Sequence, residues 1–248
     1  MYINEIHILY YVLIGIIGVA VGQFVDWMNI RLPEYQKVFS KDFFKEYLKN
    51  CKPKYILMVV IAIAYIILLY QFSFSIQTLK YMFLIPMLVS AFQIDLKLQI
   101  IPNRLTLSIF ELGLIFTFAQ VLLDTTVGIT ILTNNLLGMI VGGGIFLLIT
   151  LIGGFIAGKE AMGFGDVKLM GAMGLFFGWI NMILISVIAF LLAAIVSIII
   201  LIARKKKMDE YIPFGPFIVI GAMITIYTPF MTLLSVLLKI FSLGMYQG

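Results

Sequence analysis

One cysteine, Cys51, and one histidine, His7, are all that the chain offers of those residue types in 248 positions. An internal disulfide needs two thiols, and a tetrahedral zinc site needs four donors that are mostly cysteine or histidine, so both are excluded. Ser-His-Asp or Cys-His chemistry would have to recruit His7, which stands at the outer end of the first apolar run. Any metal site would have to be nearly all oxygen, and none is expected. Charge is scarce as well, since 12% of residues are Asp, Glu, Lys or Arg against 62% hydrophobic, far outside the range of a soluble domain.

What the chain has in quantity is long apolar runs. A membrane-spanning helix takes about 20 mostly apolar residues. Such runs lie near 8–28, 55–72, 81–95, 105–123, 135–157, 167–181, 183–203 and 214–241. They predict an all-α polytopic membrane protein of about eight transmembrane helices. A membrane β-barrel would show short segments of alternating polarity, and nothing here alternates in that way. The first run has no basic residue before it and no small-residue cleavage site after it, so it is expected to be a retained helix rather than a cleaved signal.

Lysine and arginine collect in the loops that stay in the cytoplasm. With the N-terminus outside, the inner loops are 31–54, 96–104, 158–168 and 204–211. They hold Arg31, Lys37, Lys41, Lys45, Lys49, Lys52, Lys54, Lys97, Arg104, Lys159, Lys168 and Arg204 through Lys207, while only Lys80 and Lys239 fall elsewhere. The net charge of +5 is therefore topological, a retention of loops beside anionic lipid, and no nucleic-acid partner is expected.

Two aspartates stand at the edges of apolar runs, where a carboxylate is costly unless it has a partner or a task. Asp95 lies in Ser90-Ala-Phe-Gln-Ile-Asp-Leu-Lys-Leu-Gln-Ile-Ile-Pro-Asn-Arg104, and Asp166 in Met162-Gly-Phe-Gly-Asp-Val-Lys168. The topology places both on the cytoplasmic side, on helices of opposite direction. Two close carboxylates repel and hold one shared proton, which suits peptide hydrolysis: the ionised one draws a proton from water, the protonated one donates to the carbonyl oxygen. No cofactor is required. Asp95 ends its helix, where the dipole disfavours negative charge, and Asp166 begins one, where the dipole favours it, so Asp95 is expected to hold the proton. Gly163 and Gly165 are expected to let the backbone turn tightly before Asp166. Pro102 ends helical geometry after Asp95, and Asn103 is expected to cap a helix beginning at Arg104.

These strings resemble the type IV prepilin peptidase family, membrane aspartyl proteases with a Gly-x-Gly-Asp motif. The resemblance rests on Asp95 with Ile101-Pro-Asn-Arg104, on Glu160-Ala-Met-Gly-Phe-Gly-Asp-Val-Lys-Leu169 and on Ile212-Pro-Phe-Gly-Pro-Phe217. It extends to Gly22-Gln-Phe-Val-Asp-Trp-Met-Asn-Ile-Arg-Leu-Pro33 at the end of the first helix. It implies that Asp95 and Asp166 are the catalytic pair and that Gly163, Phe164, Gly165 and Lys168 complete the motif. It also implies cleavage of the short basic leader of prepilin-like or pseudopilin-like proteins after glycine, at the cytoplasmic face, before assembly into a pilus, secretion pseudopilus or competence machine. Many members then methylate the new N-terminus with S-adenosylmethionine, and carry two cysteine pairs suited to zinc in the first cytoplasmic loop. Here that loop keeps only Cys51, so the zinc fold is absent and methyl transfer is left open. The implied division is a zinc-free N-terminal region at 1–75 and a six-helix peptidase domain at 76–248.

Other features have plainer readings. Gly138 and Gly142, Gly154 and Gly158, and Gly174 and Gly178 have the four-residue spacing that lets helices approach closely. Arg204 to Lys207 reads as a topology anchor. Glu111, about two turns into the fourth helix, is expected to contact Arg104, with a third carboxylate tuning the pair as the alternative. Glu160 either attracts the basic leader or is a solvated loop residue. The competing function is a proton- or cation-coupled transporter using Asp95, Asp166 and Glu111, which accounts for the carboxylates but not for the strings around them.

Overall fold

The computed structural model describes residues 2–43, 47, 49, 52–157, 162–203 and 212–242. Lys45, Cys51, Lys159, Glu160, Gly158 and Arg204 to Lys207 lie outside the described residues. A two-stranded hairpin of β1 (Tyr2–Ile3) and β2 (Ile6–His7) precedes the helices α1 (Ile8–Arg31), α2 (Tyr55–Phe72), α3 (Ile76–Leu98), α4 (Asn103–Leu123), α5 (Gly128–Ala157), α6 (Phe164–Ile202), α7 (Gly215–Tyr227) and α8 (Phe230–Phe241). Among the described residues, α1 to α6 are long and apolar enough to cross a membrane, whereas α7 and α8 are shorter apolar helices. The chain is thus an all-α polytopic membrane protein apart from the small hairpin.

Three of the expected spans differ in detail. The run 214–241 is split between Thr228 and Pro229: Pro229 brings no N–H to continue a helix, and Thr228 before it is extended (φ −119°, ψ 130°). The runs 167–181 and 183–203 are the two arms of α6, which breaks at Gly178 with φ 72° and ψ 169°, a conformation open essentially to glycine alone.

The chain forms two compact units, Met1–Leu112 and Gly113–Gly248. In the first, α1 and α2 meet backbone to backbone, because a Cβ on Gly22 would stand 2.5 Å from the Met58 Cα and one on Gly18 at 2.5 Å from that of Ala62. Gln23 then closes the start of α2, its Oε1 accepting the Lys54 N–H at 3.0 Å. Pro86 inside α3 has no N–H to give the carbonyl four residues earlier, and the Tyr65 hydroxyl on α2 donates to that Met82 carbonyl instead.

In the second unit, both arms of α6 lie along α5. Gly178 packs on Asn134 near the start of α5; a Cβ on Gly142 would meet the Met170 carbonyl and the Met182 Cε, each at 2.7 Å; farther along, the Phe146 ring packs tilted against Phe190 at 5.5 Å and Gly143 faces the Val167 carbonyl. Moving down α5, the partners run backward from 178 on one arm and forward from 178 on the other. α6 is therefore a helical hairpin, with Asp166 on the arm that ends beside the later part of α5.

Candidate active site

Asp95 occupies the last turn of α3 and is 3% exposed, while the residues after it, Leu96 to Ile100, are exposed. The helix ends because Gln99 turns into the left-handed region (φ 56°, ψ 35°), and its N–H bonds the Asp95 backbone carbonyl at 2.9 Å. The carboxylate therefore stands at the negative end of the α3 dipole.

Asp166 lies in the first turn of α6, three residues after the cap residue Gly163, and is also 3% exposed, with its Oδ1 enclosed by protein. Its N–H bonds the Gly163 carbonyl at 3.1 Å. This is the positive end of a helix, so the two aspartates have opposite dipole environments, as the sequence predicts. Gly163 has φ −65° and ψ 135°, an extended conformation that any residue adopts. A tight glycine turn before Asp166 is not what the backbone shows at that position.

Around Asp166, Phe164 and Lys168 are both exposed and lie one turn apart, with the Lys168 Nζ at 5.2 Å from the Phe164 ring centre. Gly165 lies between Phe164 and Asp166 in the same first turn. After Asp95, Pro102 is buried, and its carbonyl accepts the N–H groups of Leu105 at 3.0 Å and Thr106 at 3.3 Å. These bonds start α4 at Asn103, one residue before the expected Arg104, so Pro102 rather than Asn103 precedes the helix. Arg104 does not turn to Glu111. Its Nη1 donates to the backbone carbonyls of Tyr35 and Gln36 instead, the second at 3.2 Å.

The residues that hold Asp95's helix were not singled out from sequence. Asn29 on α1 accepts from the Ser90 hydroxyl at 2.6 Å and donates to the Gln93 Oε1 at 2.7 Å, on the stretch of α3 just before Asp95. Nearby, the Tyr47 hydroxyl donates to Asp26 at 2.8 Å and the Gln23 amide donates to Tyr47 at 2.7 Å, with the Lys54 ammonium 4.0 Å from Asp26. The available signal was the spacing of Gln23, Asp26 and Asn29, three polar residues at intervals of three within an apolar helix. His7 caps α1, its Nδ1 accepting the Leu9 N–H at 3.3 Å.

Among the described residues no group of three or more His, Cys, Asp or Glu side chains stands together as a metal site. One cysteine and one histidine do not fit the zinc that the resemblance associates with the first loop.

Residues 82–198 match the model of the type IV leader peptidase family. Among curated proteins, the chain is similar to a prepilin leader peptidase/N-methyltransferase of Legionella pneumophila, 33% identical over 158 residues that cover 64% of this chain and 53% of that protein. It is similar to the proteins of the same name from Aeromonas hydrophila (30% identical, 60% of this chain and 49% of that one) and Escherichia coli strain K12 (30% identical, 54% and 56%). The chain thus spans about half the length of the curated relatives it matches. No solved structure matches.

Proposed function

We propose, from the match of residues 82–198 to the type IV leader peptidase family, that this chain is an aspartyl endopeptidase of the membrane that removes the short basic leader of prepilin-like or pseudopilin-like proteins. One observation carries the reading: within the matched segment, Asp95 and Asp166 are each 3% exposed, at helix ends of opposite polarity. A buried carboxylate at a helix C-terminus is the better proton holder, and one at an N-terminus the better base.

In this reading Asp166, ionised, draws a proton from the attacking water while Asp95 donates its proton to the scissile carbonyl oxygen. The tetrahedral intermediate then collapses: the C–N bond breaks, the leaving amine takes the proton from Asp166, and a hydroxyl of the intermediate returns its proton to Asp95 as the carboxyl product forms. The reaction balances with water as the only co-substrate, so proteolysis needs no cofactor. Gly163, Phe164, Gly165 and Lys168 shape the approach to Asp166, and Pro102 and Asn103 fix the chain after Asp95. The two apolar helices between the aspartates in the sequence, α4 and α5, are each long enough to cross a membrane, and two crossings would bring the chain back to the face it left. The abundance of Lys and Arg in the loops on that side makes it the cytoplasmic face of the cell membrane.

The relatives' names also carry an N-methyltransferase activity. If retained here, it would take S-adenosylmethionine as methyl donor, acting on the amine that cleavage exposes. The comparisons lend no support to the transporter alternative.

The test is co-expression in membranes with a prepilin-like substrate. Wild type trims the leader, whereas Asp95→Ala and Asp166→Ala proteins, present at wild-type levels, do not. Trimming by both variants would end the peptidase reading. The mass of the processed N-terminus, with or without one added methyl group, decides the methyl transfer.

A further inference from the structure

Glu111 is eight residues into α4, which at 1.5 Å per residue is about 12 Å along the helix from Asn103. Its side chain is exposed, and it shares that exposure with Leu107, Ile115, Phe118 and Leu122, three or four residues apart and hence on one stripe. The buried face of the same helix is Leu105, Thr106, Ile109, Phe116 and Thr117. A carboxylate on an outward apolar stripe, too deep for its short side chain to regain water, is expensive unless another group meets it. Arg104 does not, since it is engaged with the Tyr35 and Gln36 carbonyls. Among the described residues no hydrogen bond or ion pair reaches Glu111, the salt bridges there being Arg31–Asp42 and Lys54–Asp26.

We infer that the stripe Leu107, Glu111, Ile115, Phe118 and Leu122 is the docking surface for the substrate's own apolar helix, with Glu111 accepting a hydrogen bond from a polar group on that helix. This rests on the peptidase reading. Residues 99–102 alone join the helix of Asp95 to α4, so a chain cut beside Asp95 and continuing into the bilayer enters where α4 does. The aliphatic and aromatic side chains of the stripe suit an apolar helix, and the carboxylate selects one that brings a donor or a cation. A second copy of this chain is the poorer occupant. A two-fold axis along the membrane normal would set Glu111 against Glu111 at equal depth, two like charges of which one must first take up a proton before the pair can bond.

The experiment uses the whole protein in nanodiscs and two substrates. One has a basic leader, a glycine at the junction and an apolar helix beyond it; the other is a short peptide spanning the junction alone. A photoreactive phenylalanine analogue replaces Leu107, and capture is scored separately from cleavage. Capture of the helix-bearing substrate is expected, with Glu111→Leu lowering capture and raising KM for that substrate by about tenfold at unchanged kcat, the size of one lost charge-assisted hydrogen bond. Glu111→Gln, which still accepts, stays near wild type and shows that the position tolerates change. All three proteins cut the short peptide alike. Capture indifferent to Glu111→Leu, an equal loss on the short peptide, or capture of a second copy instead would overturn the inference. Capture without any cleavage by wild type would leave the docking surface standing and sink the peptidase reading, and cleavage without capture would do the reverse.

Discussion

Asn29 fixes the rotation of α3 about its own axis, and with it the direction of Asp95. At 100° per residue the Ser90 and Gln93 side chains that Asn29 binds point nearly opposite to Asp95, so α1 grips the back of α3 and leaves the carboxylate facing away from it. Ser90 is fully buried. Asn29→Ala would leave its hydroxyl and the Gln93 side chain without that partner, a loss of about 1–3 kcal/mol of stability, read as a lower Tm in detergent. Adding Ser90→Ala should recover part of it, because removing both partners costs less than removing one; losses that simply add would show that the two side chains are not coupled. Cleavage should fall in Asn29→Ala and return in the double variant if rotation of α3 is what matters. The aspartates were legible in the sequence because a charge at the edge of an apolar run declares its own cost. Asn29 was not, since its partner Ser90 lies 61 positions away and nothing local marks the pair. Arg104 misled for a related reason: a long guanidinium chooses among all acceptors in reach, and carbonyls 68 and 69 positions away outcompeted the carboxylate on its own helix.

At the scale of the element, α6 owes its shape to glycine. Breaking a helix inside the bilayer frees carbonyls that need donors, and the second unit supplies them. The Thr117 hydroxyl donates to the Leu175 carbonyl at 3.3 Å and is itself held by Asn135 at 3.0 Å, while the Asn181 amide donates to the Phe177 carbonyl at 2.9 Å. Gly178→Ala should destabilise the protein by about 1–3 kcal/mol from backbone strain alone. It adds a steric conflict with the Asn134 amide, whose carbon would stand 2.8 Å from the new Cβ. Asn134→Ala in the same chain should relieve only the second part, so a complete rescue of the Tm would show that φ at Gly178 is not strained for alanine. The two apolar arms were visible in the sequence as separate runs. The turn between them was not, because both arms are equally apolar and Gly178 is one of 21 glycines. The spacing of Gly138, Gly142, Gly174 and Gly178 carried more, since those residues do form the backbone contact of α5 with α6.

For the whole molecule, orientation decides whether the two aspartates can meet the leader that the proposed function assigns to them. The loops 73–75 and 124–127 contain no lysine or arginine, whereas residues 31–54 contain seven and the segment 97–104 holds Lys97 and Arg104. Moving the second set across the membrane against the potential and away from anionic lipid is unfavourable for each charge, and the bias repeats at successive loops. The exposed positions Ile100, between α3 and α4, and Thr125, between α4 and α5, lie at opposite ends of α4. With Cys51→Ser removing the one native thiol, Thr125→Cys should react with a membrane-impermeant maleimide in intact cells, and Ile100→Cys only after permeabilisation. The labelling is independent of activity, so it separates two failures. The reverse pattern would place the ends of α3 and α6 that carry Asp95 and Asp166 outside the cell and remove the basic leader from their reach. Labelling as expected in a protein that cuts nothing would keep the topology and return the question to the chemistry of the aspartates.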